Sequence, residues 1–155
     1  MTTLPKRKLG SSGLDIAPLV FGCNVFGWTA DEATSFALLD AFVEAGFDAI
    51  DTADAYCQGA ADFGHGEELV AKALASYGGD TAGVVVATKG GHRRTDDGGW
   101  YVDGSAAYLR EACEASLRRL GVEAIDLYQH HRPDPEVPYA ESIGAVKDLH
   151  DAGKV

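Results

Sequence analysis

At 155 residues, 46% of them apolar and 24% charged, the chain is long enough for one domain with a real core and too apolar to be disordered. Acidic residues outnumber basic ones 24 to 13, and the net charge of −11 argues against nucleic acid or an anionic membrane surface as a partner. Three scattered cysteines without a CxxC pair, no signal-peptide pattern and no membrane-length apolar run point away from disulfides, zinc and a membrane anchor, and towards a reducing cytoplasm.

Residues 6–18, centred on Gly10, Ser11, Ser12 and Gly13, read as a small β-hairpin. Residues 19–22 read as a first buried strand. Thr29 and Glu32 have capping-box spacing ahead of a helix whose Phe36, Leu39 and Val43 share a face and which stops at Gly46. A second strand over 47–50 leads to a helix over 67–77, ended by Gly78 and Gly79. Residues 84–88, Val-Val-Val-Ala-Thr, form the clearest β run. The strongest amphipathic helix covers 105–120, with Leu109, Cys113, Leu117 and Leu120 at helical spacing before Gly121. A fourth strand over 124–129 and a helix over 139–151 complete the series.

The pattern is β-α repeated four times, with strands apolar on both faces, as in a parallel sheet covered by helices. A doubly wound sheet and part of a (β/α)8 barrel both satisfy it, and periodicity does not choose between them. The longest irregular segments, 53–66, 89–104 and 130–138, follow the C-terminal ends of strands, where both architectures build active sites.

Asp51, Tyr56, Lys89, His130 and His131 fall at those strand ends. Singly each has a plain reading: a turn-forming carboxylate, a solvated lysine, a structural histidine. Jointly they make a device. A phenol is a poor proton donor at neutral pH, but an ammonium at ~4 Å stabilises its phenolate by about 4 kcal/mol at an effective dielectric near 20, less the cost of desolvation. A carboxylate holds the ammonium charged and in place, and an imidazole orients a carbonyl oxygen. Such a site adds a proton to an oxygen while hydride arrives from elsewhere.

Asp51-Thr-Ala-Asp-Ala-Tyr56 resembles the Asp-Thr-Ala-x-x-Tyr segment of the aldo-keto reductases. The run ending in Lys89-Gly-Gly, and the stretch from Ser116 through Asp126-Leu-Tyr-Gln-His-His131, resemble that family's lysine segment and its helix-three and strand-four segment. Lys8-Leu-Gly-Ser-Ser-Gly-Leu14 is similar to its barrel-bottom cap, and Gly66-Glu-Glu-Leu69 to its helix-two start. The resemblance implies a (β/α)8 TIM barrel. About the first four β/α units would be present after an N-terminal hairpin, so that residues 1–155 are the N-terminal portion of one truncated barrel domain.

It further implies an NADP-dependent oxidoreductase that reduces aldehydes or ketones to alcohols. Tyr56 would be the general acid, Lys89 its supporting cation, and Asp51 the carboxylate that holds Lys89 and touches cofactor. His131 would position the substrate carbonyl. It is preferred to His130 because it stands five residues after Asp126; His130 then packs against helices. On the loop after the first strand, with Asn24 and Phe26, Trp28 either flanks substrate or lids the core; Trp100 is similar. Cys57 reads as inert.

Without a GxGxxG or Walker pattern, NADPH (NADP+) is implied by the resemblance alone, and the family's cofactor contacts lie mostly in the other half of the barrel. No metal is expected, and the expected partner is a small carbonyl compound. The alternative is a catalytically inactive half-barrel fragment or an assembly module. It would self-associate through open sheet edges or bind a partner that supplies the missing half.

Overall fold

A computed structural model describes residues 4–59 and 62–155. In chain order the elements are β1 (Arg7–Lys8), β2 (Asp15–Ile16), β3 (Phe21–Gly22), α1 (Glu32–Glu44), β4 (Ala49–Asp51) and α2 (His65–Ser76). There follow β5 (Val85–Gly90), β6 (His92–Arg94), β7 (Trp100–Val102), α3 (Ala106–Leu120), β8 (Leu127–His130) and α4 (Tyr139–Asp151).

β3, β4, β5 and β8 form one parallel sheet in that order. Spatial order follows chain order with no reversal. A doubly wound sheet has a switch point where the order reverses, so the topology selects the barrel segment. The β1–β2 hairpin is tied to the sheet through Asp48, which accepts from the Ala17 amide at 2.8 Å and pairs with Lys6 at 2.7 Å.

One apolar cluster, including Phe26, Leu39, Ile50, Leu69 and Val70, joins the sheet to α1 and α2. A second, with Cys113, Leu117, Ile125, Tyr128 and Leu149, joins β8 to α3 and α4. Each such large side chain contributes about 1.5–3 kcal/mol by leaving water. No helix among the described residues is long and apolar enough to cross a membrane.

The second and fourth strands of the series, expected over 47–50 and 124–129, span Ala49–Asp51 and Leu127–His130, and four further expectations shift. The first strand contracts to Phe21–Gly22, with Leu19 and Val20 half exposed, because β3 is an edge strand bonded on one side only. Asp31, not Thr29, caps α1, its carboxylate accepting from the Thr34 amide at 2.8 Å. Thr29 is held in the preceding turn, where the Ala30 amide bonds the Val25 carbonyl. α2 begins two residues early because Gly64, at φ +89°, turns the chain into the helix at His65. The segment 89–104, expected to be irregular, contains the antiparallel β6–β7 hairpin.

Candidate active site

Strand alternation sorts the functional side chains. Ala87 and Lys89 lie on one face of β5, Thr88 on the other. Asp51 registers with Ala87, and Lys89 with Gln129, so Asp51, Lys89 and Gln129 share the axis-facing surface of three adjacent strands. Lys89 Nζ donates to Asp51 Oδ2 at 2.7 Å, to the Thr52 carbonyl at 2.9 Å and to Tyr56 Oη at 3.1 Å. Each of the three ammonium hydrogens has an acceptor. Gln129 Nε2 donates to the other carboxylate oxygen, Asp51 Oδ1, at 3.1 Å. Gln129 was not singled out from the sequence; its signal is the two-residue step from His131 along one strand face.

Tyr56 rides on a loop pinned at several points. The Thr52 amide donates to the Ala87 carbonyl at 2.8 Å, and the Gly66 amide to the Tyr56 carbonyl at 3.2 Å. A side chain at Gly66 would place its Cβ 2.8 Å from that carbonyl, so glycine is required for the approach. The amide of His131 donates to the Gly90 carbonyl at 2.8 Å, just past β8. This brings the His131 ring edge-on to Tyr56, centroids 5.7 Å apart at 80°. Burial, the neighbouring His92 and the Lys89 ammonium push the His131 imidazole down to about 4, so it is neutral at physiological pH.

The structure therefore brings Asp51, Tyr56, Lys89 and His131 together. His130 turns the other way and stacks on Tyr139 of α4 at 5.9 Å, as expected of the outward neighbour. Trp28 is exposed on the loop after β3. Trp100 lies on β7 with the Arg94 guanidinium 3.9 Å over its ring. Cys57 is buried, its thiol raised by burial and donating to the Gly59 carbonyl at 3.1 Å.

Behind the sheet lies a polar cluster that sequence reasoning missed. Glu67 is fully buried; Thr88 Oγ1 donates to its Oε1 and Arg119 Nε to its Oε2, both at 2.6 Å. Beside it, Asp54 is pushed up to about 8 by burial and by the Glu67 charge, and accepts from Tyr108 Oη at 3.3 Å. Glu67 and Arg119 both fall inside segments that resemble the family, but neither was given a role, since charged residues on helices usually face water. Among the described residues no three His, Cys, Asp or Glu side chains converge as metal ligands.

Residues 18–155 match the family model described as the aldo/keto reductase family. The chain belongs to that family. It is 41% identical over 152 residues to the uncharacterized oxidoreductase YqkF of Bacillus subtilis (strain 168), across 97% of this chain and 46% of YqkF. Aldo-keto reductase AKR11C1 from Bacillus halodurans, in its holo form, superposes with a TM-score of 0.82 at 38% identity, over 97% of this chain and 47% of its own. The glycerol dehydrogenase AKR11B4 from Gluconobacter oxydans gives 0.78 at 31% identity, over 96% and 46%. The chain thus spans about half the length of these relatives, and its fold is the corresponding part of their barrel.

Proposed function

We propose that Asp51, Tyr56, Lys89 and His131 are the acid–base machinery of an NADP(H)-dependent reductase of aldehydes or ketones, and that residues 1–155 are the N-terminal portion of its single barrel domain. The observation that carries this reading is the position of Lys89 Nζ, in hydrogen-bond contact with Asp51 and Tyr56 at once. When bound, the nicotinamide supplies the hydride. Tyr56 Oη donates its proton to the carbonyl oxygen as negative charge develops there. The Lys89 ammonium, 3.1 Å away, stabilises the resulting phenolate by about 5 kcal/mol at an effective dielectric near 20, before desolvation. Asp51, braced by Gln129, keeps the ammonium aimed. A neutral His131 offers the substrate oxygen one N–H without placing a second cation beside Lys89.

The residues present fit a nicotinamide cofactor in part. Asp51 and Gln129 offer polar groups on the axis-facing surface at the end where Tyr56, Lys89 and His131 meet. The apolar cavity of about 190 Å³ that they border runs the other way, towards Leu9 and Ile16 of the hairpin and the starts of β4, β5 and β8, and is not the cofactor's seat. In (β/α)8 barrels the phosphate loops usually follow strands seven and eight. Asp51 is accordingly the residue of this chain assigned to the cofactor. Trp28, exposed at the same end of the sheet, is assigned to the substrate side.

A second reading, an assembly module, draws on the edge strands β3 and β8 and on half-exposed Leu19 and Val20. Two measurements separate the readings. The first is the solution mass and NADPH fluorescence of the chain alone. The second is NADPH oxidation with aldehydes after joining the chain to the second half of YqkF. The reductase reading expects turnover in the joined protein. A folded joined protein that binds NADPH but reduces no carbonyl compound contradicts it.

A further inference from the structure

A cavity of about 310 Å³ takes no part in the chemistry above. It lies on the helix side of the sheet, between α3, the β6–β7 hairpin and the turn before α2. Its size is that of a small-molecule site. The hollow is shaped by α3, on which Tyr108, Ala112, Ala115 and Arg119 follow one another at steps of four, three and four and so share a face. The two alanines leave open the space between the phenol and the guanidinium. Phe63 adds an aromatic side to the same lining.

The charge of this lining runs against that of the chain. Arg93, Arg94 and Arg119, three of 13 basic residues in a protein of net charge −11, meet here with Glu111 as the one carboxylate. Each arginine is held from behind and incompletely used. Arg119 donates through Nε to the buried Glu67 and through Nη2 to Ser116 Oγ at 3.4 Å, while its Nη1 makes no bond among the described residues. Arg93 sits 4.7 Å over the Tyr108 ring, and its contact with Asp103 is long, at 3.3 Å, with 42% of the side chain open.

Arg94 is 7% exposed, and no carboxylate among the described residues pairs with it. Its Nη2 donates to the Gln58 carbonyl at 2.6 Å. Its Nε and Nη1 are sealed from solvent and without partners, so it brings charge to the cavity rather than a direct bond. A buried cation without a counter-charge is costly, and an anion in the adjoining space offsets that cost. Guanidinium groups bind phosphate and carboxylate oxygens through paired N–H donors. A phosphate monoester carries three such oxygens and nearly two charges at neutral pH, which suits cations converging from two elements.

We propose that this cavity binds a small organic phosphate. Arg93 and Arg119 hold the phosphoryl oxygens, Arg94 adds positive charge beside them, and Phe63, Ala112 and Ala115 receive the organic part. The site is independent of the acid–base reading, because Lys89 and Asp51 lie on the opposite face of the sheet.

The test is calorimetric titration of the 155-residue chain with phenyl phosphate, benzoate and phenol in 0.15 M NaCl. Phenyl phosphate should bind with a Kd of about 1 mM or below, benzoate at least about fivefold more weakly, and phenol not measurably. Arg93→Gln, at a half-open side chain, should weaken phenyl phosphate about tenfold. Ala115→Leu, which fills the hollow without changing charge, should do the same. Glu111→Gln should tighten binding about twofold by removing a like charge. Lys89→Met should leave the Kd unchanged. The same pattern is expected in the protein joined to the second half of YqkF and saturated with NADPH, which occupies any phosphate site that half supplies. No binding of phenyl phosphate, an unchanged Kd in Arg93→Gln or in Ala115→Leu, or loss of binding in Lys89→Met overturns the proposal. Benzoate or phenol binding as tightly as phenyl phosphate overturns the phosphate assignment.

Discussion

Two neighbouring residues of β5, Thr88 and Lys89, point to opposite faces of the sheet, and each touches a carboxylate that takes part in an ion pair. On the axis side Lys89 pairs with Asp51 at 2.7 Å, and the ammonium has a further bond to the Tyr56 hydroxyl. On the helix side Thr88 donates to Glu67, whose other oxygen is held by Arg119 at 2.6 Å. Glu67 has no exposed side-chain area, while 26% of the Asp51 side chain remains open. The rear pair is closed on itself and holds α2, α3 and the sheet together. The front pair ends on a phenol beside open space. On the proposed reading the same elementary interaction serves stability behind the sheet and chemistry in front of it, and what decides is where the last hydrogen bond goes.

The comparison can be broken at either end. The largest effect is expected from Lys89→Met, which removes the cation beside Tyr56. In the joined protein kcat should fall by about 10²–10⁴-fold, with the urea midpoint shifted less than in any Glu67 variant. Next is Glu67→Ala, which strands Arg119 and leaves Thr88 without its acceptor. Unfolding free energy should drop by about 3–5 kcal/mol in urea titrations of the chain. If Lys89→Met destabilises as much as Glu67→Ala, the division of labour is wrong.

Titration sharpens the same contrast, because the two faces carry shifts of opposite sense. His131 in front releases its proton near 4 when folded, against 6.5 unfolded. Between those values the unfolded chain binds the extra proton, so stability falls as pH is lowered. Asp54 behind keeps its proton up to about 8 when folded, against 3.8 unfolded, so stability falls as pH rises through that range. Unfolding free energies of Asp54→Asn minus wild type should therefore climb from about pH 4 to pH 8; a flat difference would contradict the assignment. The smallest effect belongs to the surface pair Arg110–Asp148, about half exposed at both partners. Arg110→Ala should cost no more than about 1 kcal/mol in the same titration, and this calibrates the Glu67 result.

Much of this was legible in the sequence. The parallel β/α order, the four strand-end residues and the helix over 139–151 follow from periodicity and position, while His131 was chosen over His130 on the family resemblance, by its place five residues after Asp126. The order of strands was not legible from the apolar runs, which carry no record of which neighbour they pair with; it was implied by the resemblance to a (β/α)8 barrel alone, and the sheet order β3-β4-β5-β8 agrees with it. The rear cluster was hidden because Asp54, Glu67 and Arg119 come from a loop and two helices and meet only in space. The β6–β7 hairpin has strands of three residues, too short for a period-two pattern to emerge from its arginines and glycines. The cap of α1 was expected at Thr29, and the turn closed by the Ala30 amide on the Val25 carbonyl delays the helix so that Asp31 caps it.

The most direct test of the front site is Tyr56→Phe in the joined protein, with NADPH affinity and aldehyde turnover measured on one preparation. Cofactor affinity should stay unchanged while kcat falls by about 10²–10⁴-fold. Turnover within about twofold of wild type would show that the proton comes from another group, and the supporting roles of Lys89 and Asp51 would fall with it.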